Sequence, residues 1–258
     1  LKDIGTNEIE ILLKDTNSNP NKTIKSAFEN AKYPERIVIG ACEQNADVSE
    51  SCITEPVKKG AIRLVSISHN KARGPCAARY LCYTLYQDED VFLQIDSHTH
   101  FSKDWDEKAI EMLNNAPLEL EKCAITTYPP DVNDENWQNS NPPVITKSNW
   151  DGNFLTFAAT FEGEGMYTSR QIGGGFFLCV KNVIRKVPLD PDLNGLFNNE
   201  EILYSARLFT HGIDMISPNK NIVAHVYHYS EHQVPWNDSG YTWDENTNGK
   251  ERADKLLM

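Results

Sequence analysis

From position 91 the chain reads Val-Phe-Leu-Gln-Ile and then turns abruptly polar with Asp96-Ser97-His98-Thr99-His100. A short apolar run of this kind reads as a strand covered on both faces. Its polar end delivers side chains to the carboxyl edge of a parallel sheet, where α/β proteins bind their ligands. The flanking segments agree. Strand signals at Glu8–Lys14, Arg36–Ala41 and Ile62–Ser68 alternate with helix signals at Lys22–Lys32, closed by Pro34, and at Ala77–Tyr86. That order belongs to a mostly parallel sheet with crossover helices. Farther along come a helix at Asp104–Asn115, strands at Cys123–Thr127, Phe154–Phe161 and Gly175–Val180, an amphipathic helix at Asn199–Thr210 and a last strand at Asn221–Tyr229. The expected class is α/β, a single domain over residues 1–258 around a mixed, mostly parallel sheet. The stretch Pro129–Asn153 is rich in Pro, Asn, Asp and Trp and shows no apolar period. It reads as a long loop, with 131–153 a flexible substrate-binding flap. Residues 231–258 read as a polar tail carrying Trp236, Tyr241 and Trp243.

Charge narrows the partners. With 25 Lys+Arg against 37 Asp+Glu the formal net charge is −12, which disfavours nucleic acid and anionic membrane as main partners. No apolar run approaches the ~18 residues of a membrane-spanning helix, so no transmembrane segment is expected. The first twenty residues carry no charged-then-apolar leader, and the expected location is the cytoplasm. Oligomeric state is not legible. The six cysteines form no C-x-x-C pair, which argues against a disulfide scaffold or a structural zinc cluster and for reduced, packed thiols.

Four groups of residues carry chemistry. Asp96 and His98, two apart at a strand end, can turn toward one divalent cation, and a mixed oxygen and nitrogen set suits Mn²⁺ or a similar ion better than Ca²⁺. The bland alternative is an ordinary polar turn. A late segment, Ile222-Val-Ala-His225-Val-Tyr-His228, offers a third ligand. Strand alternation sends residues three apart to opposite faces, so His225 and His228 compete for that place. Gly173-Gly174-Gly175 lets backbone approach a ligand closely, as it would also serve a turn or bulge. Asn198-Asn199-Glu200-Glu201 opens a helix, where acidic residues either complement the helix dipole or act on substrate. Finally Lys71, Arg73 and Arg79 form a basic cluster between a strand and a helix, suited to a diphosphate or to pairing with carboxylates.

Taken in order, YPERIVIGACEQN (Tyr33–Asn45), ARGPCAAR (Ala72–Arg79), FLQIDSHTHF (Phe92–Phe101) followed by DWDE, IGGGFF (Ile172–Phe177), and NNEEILYSARLFTHGIDMISP (Asn198–Pro218) followed by HVYHY resemble a glycosyltransferase of the GT-A type. More narrowly the chain resembles the hydroxyproline-directed N-acetylglucosaminyltransferases that modify the Skp1 protein. It is distantly similar to the polypeptide N-acetylgalactosaminyltransferases. The resemblance implies a Rossmann-like nucleotide-sugar-binding fold in which Asp96 and His98 bind metal and His225 completes the site. It also implies that Glu200, with Glu201 its rival, faces acceptor or donor sugar. Arg73 then lies near the donor diphosphate, and Gly173, Gly174 and Gly175 lie beneath the donor sugar. The loop Lys14-Asp-Thr-Asn-Ser-Asn departs from the family in lacking an Arg-Asp pair.

The implied activity is a metal-dependent, retaining transfer of a sugar, GlcNAc from UDP-GlcNAc, to a hydroxyl of a protein (hydroxyproline, Ser or Thr) or of a glycan, with Mn²⁺ or Mg²⁺ as cofactor. Two other readings share some features. A metallophosphoesterase also places D-x-H after a strand, but the G-D-x-x-D and N-H-[DE] segments for its second metal are missing. A carbohydrate-binding module would use Trp137, Trp150, Trp236 and Trp243 as stacking platforms, although packing is the commoner role of such residues.

Overall fold

The structure is a computed structural model and describes residues 9–14, 20–45, 47–51, 53–54, 62–151, 154–196, 200–227 and 248–257. Its elements follow in order as β1 (Ile9–Lys14), α1 (Pro20–Asn30), β2 (Ile37–Asn45), β3 (Ile62–Ser68), α2 (Gly74–Tyr83), β4 (Val91–Asp96), β5 (Thr99–Phe101), α3 (Trp105–Asn114) and β6 (Cys123–Thr126). Then come β7 (Pro143–Asp151), β8 (Phe154–Glu162), β9 (Thr168–Ser169), β10 (Phe176–Val180), α4 (Lys181–Lys186), α5 (Glu200–Thr210), β11 (Asp214–Ile216), β12 (Val223–His225) and α6 (Asn248–Leu257).

An eight-stranded sheet in the order β3-β2-β1-β4-β10-β6-β11-β9 forms the centre. β1 to β4 are parallel, β10 runs antiparallel to both β4 and β6, and β11 is parallel to β6. The sheet is therefore mixed and mostly parallel, as expected. Helices cover both faces, and β4 shows why its sequence carries no alternation. Val91, Leu93 and Ile95 pack with Ile24, Ala27 and Trp105 on one side. Phe92 packs with Ala78, Cys82, Phe177 and Leu208 on the other. The DWDE segment serves this packing. Trp105 Nε1 donates to the Ala27 carbonyl at 2.8 Å, and the buried Asp106 carboxylate accepts from the Lys32 and Tyr33 N–H groups at 2.7 and 2.8 Å. The five described cysteines are buried, and no disulfide joins them. Among the described residues no helix is long and apolar enough to cross a membrane.

Four readings need correction. Pro129–Asn153 is not loop throughout. β7 pairs antiparallel with β8 as a separate two-stranded ribbon. Register shifts between Val144 and Ile145, and between Ile145 and Lys147, break the period-2 pattern by which a strand is recognised. The last strand is only Val223–His225, and the tail contains α6. Trp137 is no stacking platform, because it is buried at 8% exposure. Trp236 and Trp243 lie outside the described residues, as does the side chain of Trp150.

Candidate active site

The antiparallel insertion of β10 builds the site. A strand running against β4 places its beginning beside the end of β4, and Phe176 accordingly pairs with Ile95. Gly173-Gly174-Gly175 is thus delivered next to Asp96. A methyl group on Gly175 would stand 3.4 Å from Asp96 Oδ2 and 3.8 Å from His225 Cδ2. One on Gly173 would stand 2.4 Å from the Thr127 carbonyl oxygen, closer than side chains tolerate. β6 points the same way as β4, so Thr127, Tyr128 and Pro129 also emerge at this edge.

His225 arrives from far along the chain. β12 pairs antiparallel with β5, placing His225 opposite Thr99, and the Val226 N–H donates to the His98 carbonyl at 3.0 Å. The His225 N–H donates to the Pro130 carbonyl at 2.9 Å, so the Pro129–Val132 segment closes the other side. Thr23 of α1 ties down the turn that carries His98, donating to the Ser97 carbonyl at 2.7 Å and accepting from the Thr99 N–H at 3.0 Å.

Asp96, His98 and His225 each present one ligand atom, and these atoms lie within 4.8 Å of one another. The two imidazoles sit with centroids 4.4 Å apart at an interplanar angle of 72°. Asp96 Oδ2 lies 3.3 Å from His225 Nε2, while Oδ1 accepts from Arg79 Nη2 at 3.0 Å. His225 Nδ1 is buried without a hydrogen-bond partner, a cost that ligation through Nδ1 itself would offset. Burial opposes ionisation of Asp96, but the hydrogen bond with His225 and the charge of Arg79 outweigh it. They hold the carboxyl well below the usual carboxylate range. An ionised carboxylate with two imidazoles is a fitting donor set for Mn²⁺ or a related ion. His228 lies outside the described residues.

The acidic helix start converges here too. Glu200 pairs with Arg79 Nη1. Glu201 accepts from the Gly174 N–H at 2.6 Å and from the Tyr128 hydroxyl. Burial pushes the Glu201 carboxyl up, helped by the Asp96 charge and opposed by the two hydrogen bonds and Arg79. Asn198 and Asn199 lie outside the described residues.

The basic cluster divides. Arg79 is buried inside the site. Lys71 and Arg73 stay exposed at the approach to α2, beside a groove lined by Gln44, Ile67 and Tyr80. Arg73 Nη1 donates to the carbonyls of Asn70 and Ala72 at 3.2 and 2.8 Å. Gln44 and Ile67 belong to β2 and β3, two and three strands from β4, roughly 10–14 Å at ~4.8 Å per strand. Sequence reasoning misses Tyr128 and Gln94. Both could be found from the rule that the carboxyl ends of central strands carry the site.

A mixed sheet of this order with a D-x-H at the end of β4, a glycine triplet beside it and an acidic helix start across from it defines a GT-A glycosyltransferase. The chain belongs to the family described as Glycosyltransferase (GlcNAc), whose profile matches residues 54–258. Solved structures of similar fold include GalNAc-T7 with UDP, GalNAc and Mn²⁺, at a TM-score of 0.66 and 11% identity over 99% of this chain and 48% of that one. Staphylococcus aureus TarS 1-349 with UDP-GlcNAc follows at a TM-score of 0.55, 10% identity, and 87% and 60% coverage. The Pyrobaculum calidifontis mannosyltransferase PcManGT with GDP-Man and Mn²⁺ gives 0.54, 10%, and 89% and 59%. The chain thus spans about half the length of the first and about three-fifths of the others. No curated protein matches by sequence. Among the described residues Asp96, His98 and His225 form the one cluster of three or more such ligands, so the second metal set of a phosphoesterase is not found there.

Proposed function

We propose that this chain transfers GlcNAc from UDP-GlcNAc to a hydroxyl group, on hydroxyproline, Ser or Thr of a protein or on a glycan, with retention of configuration. The observation that carries this reading is the convergence of Asp96, His98 and His225 within 4.8 Å, beside the glycine triplet. Those three residues would hold Mn²⁺ or Mg²⁺, which when bound stabilises the negative charge that grows on the departing diphosphate. Arg73 and Lys71, exposed at the approach to α2, are assigned to the nucleotide diphosphate end of the donor, where they offset the field of a chain of net charge −12. Gly173–Gly175 let the sugar lie against backbone. Glu200 and Glu201 position the sugar and acceptor hydroxyls. The leaving phosphate takes the acceptor's proton in a front-face reaction.

The GlcNAc preference is supported by the family description, and the metal by the donor set. The cytoplasmic location is part of the same proposal. A panel of nucleotide sugars tests the reading. UDP-GlcNAc is expected to be hydrolysed slowly with Mn²⁺ and not with a chelator, and Asp96→Ala is expected to abolish this while leaving the circular dichroism spectrum intact. An unchanged rate in Asp96→Ala would sink the metal assignment, and turnover of another donor alone would reassign the sugar.

A further inference from the structure

Arg79 lies at the middle of the site with its guanidinium already engaged. Its side chain is only 8% exposed, against 12% for Glu200 and 23% for Asp96. Nη2 donates to Asp96 Oδ1 at 3.0 Å and to the Gly174 carbonyl at 2.9 Å, and Nη1 pairs with Glu200. The Gly174 carbonyl is fixed independently by Gln94 Nε2 at 3.1 Å, from a side chain buried at 2% exposure. Any side chain at position 174 would begin 3.1 Å from both Nη atoms, so the absence of a Cβ there lets the guanidinium seat.

We infer that Arg79 is a positioning residue rather than a phosphate contact. It holds Asp96 by Oδ1, leaves Oδ2 turned toward the imidazole of His225 as the ligating oxygen, and locks Glu200 into the same frame. This rests on the metal-dependent reading proposed above. A carboxylate with both oxygens unclaimed can rotate or chelate a cation with two oxygens. With Oδ1 tied to Arg79, only Oδ2 faces His225 Nε2, 3.3 Å away. A phosphate contact would require Arg79, itself buried, to leave two half-buried carboxylates without their counter-charge, which is costly. The planar fork also matters. One guanidinium reaches Asp96, Gly174 and Glu200 together, which the single ammonium of lysine cannot reproduce. The geometry joins the metal ligand on β4, the glycine turn before β10 and the first residue of α5 in one rigid unit.

The test is titration of Mn²⁺ alone, and separately of UDP without metal, into wild-type chain, Arg79→Lys and Arg79→Gln, with steady-state donor hydrolysis alongside. Loss of an outer partner of a ligand commonly weakens metal binding about 10–100-fold. Both variants are therefore expected to lose at least about tenfold in Mn²⁺ affinity and to lower kcat more than they raise the donor KM, with metal-free UDP affinity unchanged. Unaltered Mn²⁺ affinity with weakened metal-free UDP binding would make Arg79 a phosphate ligand and overturn the inference. Should the Arg79 variants not fold, Glu200→Ala removes one of the three partners. A several-fold drop in its Mn²⁺ affinity is expected, and no drop overturns the inference. A wild-type chain that takes up no Mn²⁺ overturns the metal reading and this inference together, whereas wild-type uptake with unaffected variants overturns this inference alone.

Discussion

His225 Nε2 stands 3.3 Å from Asp96 Oδ2 although 129 residues separate the two in the chain. Two short backbone pairings make that contact. β12 lies against β5, and the Pro130 carbonyl receives the His225 N–H. Because the histidine is placed by backbone and not by its own side chain, His225→Ala should leave the fold in place. It removes one ligand of three, so Mn²⁺ affinity should fall at least about tenfold, measured by calorimetric titration, with a thermal melt close to that of wild type. A variant that binds Mn²⁺ as well as wild type would remove His225 from the site.

The glycine triplet makes a second prediction, with its own control. In Gly173→Ala the new methyl group would meet the Thr127 carbonyl oxygen at 2.4 Å, so backbone must shift. The cost should be about 2–3 kcal/mol, and the Gly174 carbonyl would move away from Arg79. Donor hydrolysis should fall with stability. Gly165 has φ of +112°, and a methyl group there would meet nothing within 4 Å, so Gly165→Ala should cost about 1–2 kcal/mol of backbone strain while sparing activity. Paired melts and hydrolysis rates separate the two outcomes.

How much of the fold and site is legible in the sequence depends on what each residue needs. Asp96 and His98 are readable because β4 is covered on both faces and so appears as an uninterrupted apolar run with a polar end. The glycine triplet is visible as composition, but its neighbour is not. Only the antiparallel insertion of β10 between β4 and β6 puts it beside Asp96, and strand order is not written in local periodicity. Arg79 reads as one of three clustered bases. Lys71 and Arg73 precede α2, whereas Arg79 lies within it and is buried, so one sequence cluster occupies two environments. Tyr128 is hidden by the loop-like composition that follows it, yet it is the second residue beyond β6 and donates to Glu201.

A third prediction concerns acid stability away from the site. Glu89 is buried, with Oε1 2.6 Å from Arg63 Nη2 and Oε2 accepting from the N–H groups of Gln87 and Asp88 at 3.0 and 3.1 Å. Burial alone would raise its pKa, but the bond to Arg63 and the backbone donors lower it from 4.5 to about 2. A carboxyl depressed in the folded state stabilises fully above its unfolded pKa and loses that contribution as pH falls through the folded one. Wild type should therefore lose about 2–3 kcal/mol between pH 4.5 and about 2 through this group. Urea melts across that range should show a shallower decline for Glu89→Gln, which starts less stable at neutral pH.

The C-terminal helix supplies the last prediction. Arg252 of α6 donates from Nε to both oxygens of Asp190 at 2.9 Å, and its Nη2 lies 2.8 Å from Oδ2. The Asp190 side chain is 4% exposed, whereas Arg252 is 42% exposed, so the two partners are not equivalent. Removing the arginine strands a buried carboxylate whose other hydrogen bond comes from the Asp192 N–H at 3.0 Å. Arg252→Ala should accordingly cost about 1–3 kcal/mol, more than a solvent-exposed ion pair is worth. Restoring neutrality with Asp190→Asn in the same chain should recover part of that loss, which a double-mutant cycle by urea denaturation would read as a coupling energy. Ala253 of α6 packs with Cys76, Leu193 and Leu203, and Leu203 sits one turn into the helix that begins at Glu200. Arg252→Ala should therefore also speed amide exchange in α6 and in the first turn of α5. Exchange confined to α6 would show that the helix is anchored to the domain without bracing the acidic pair.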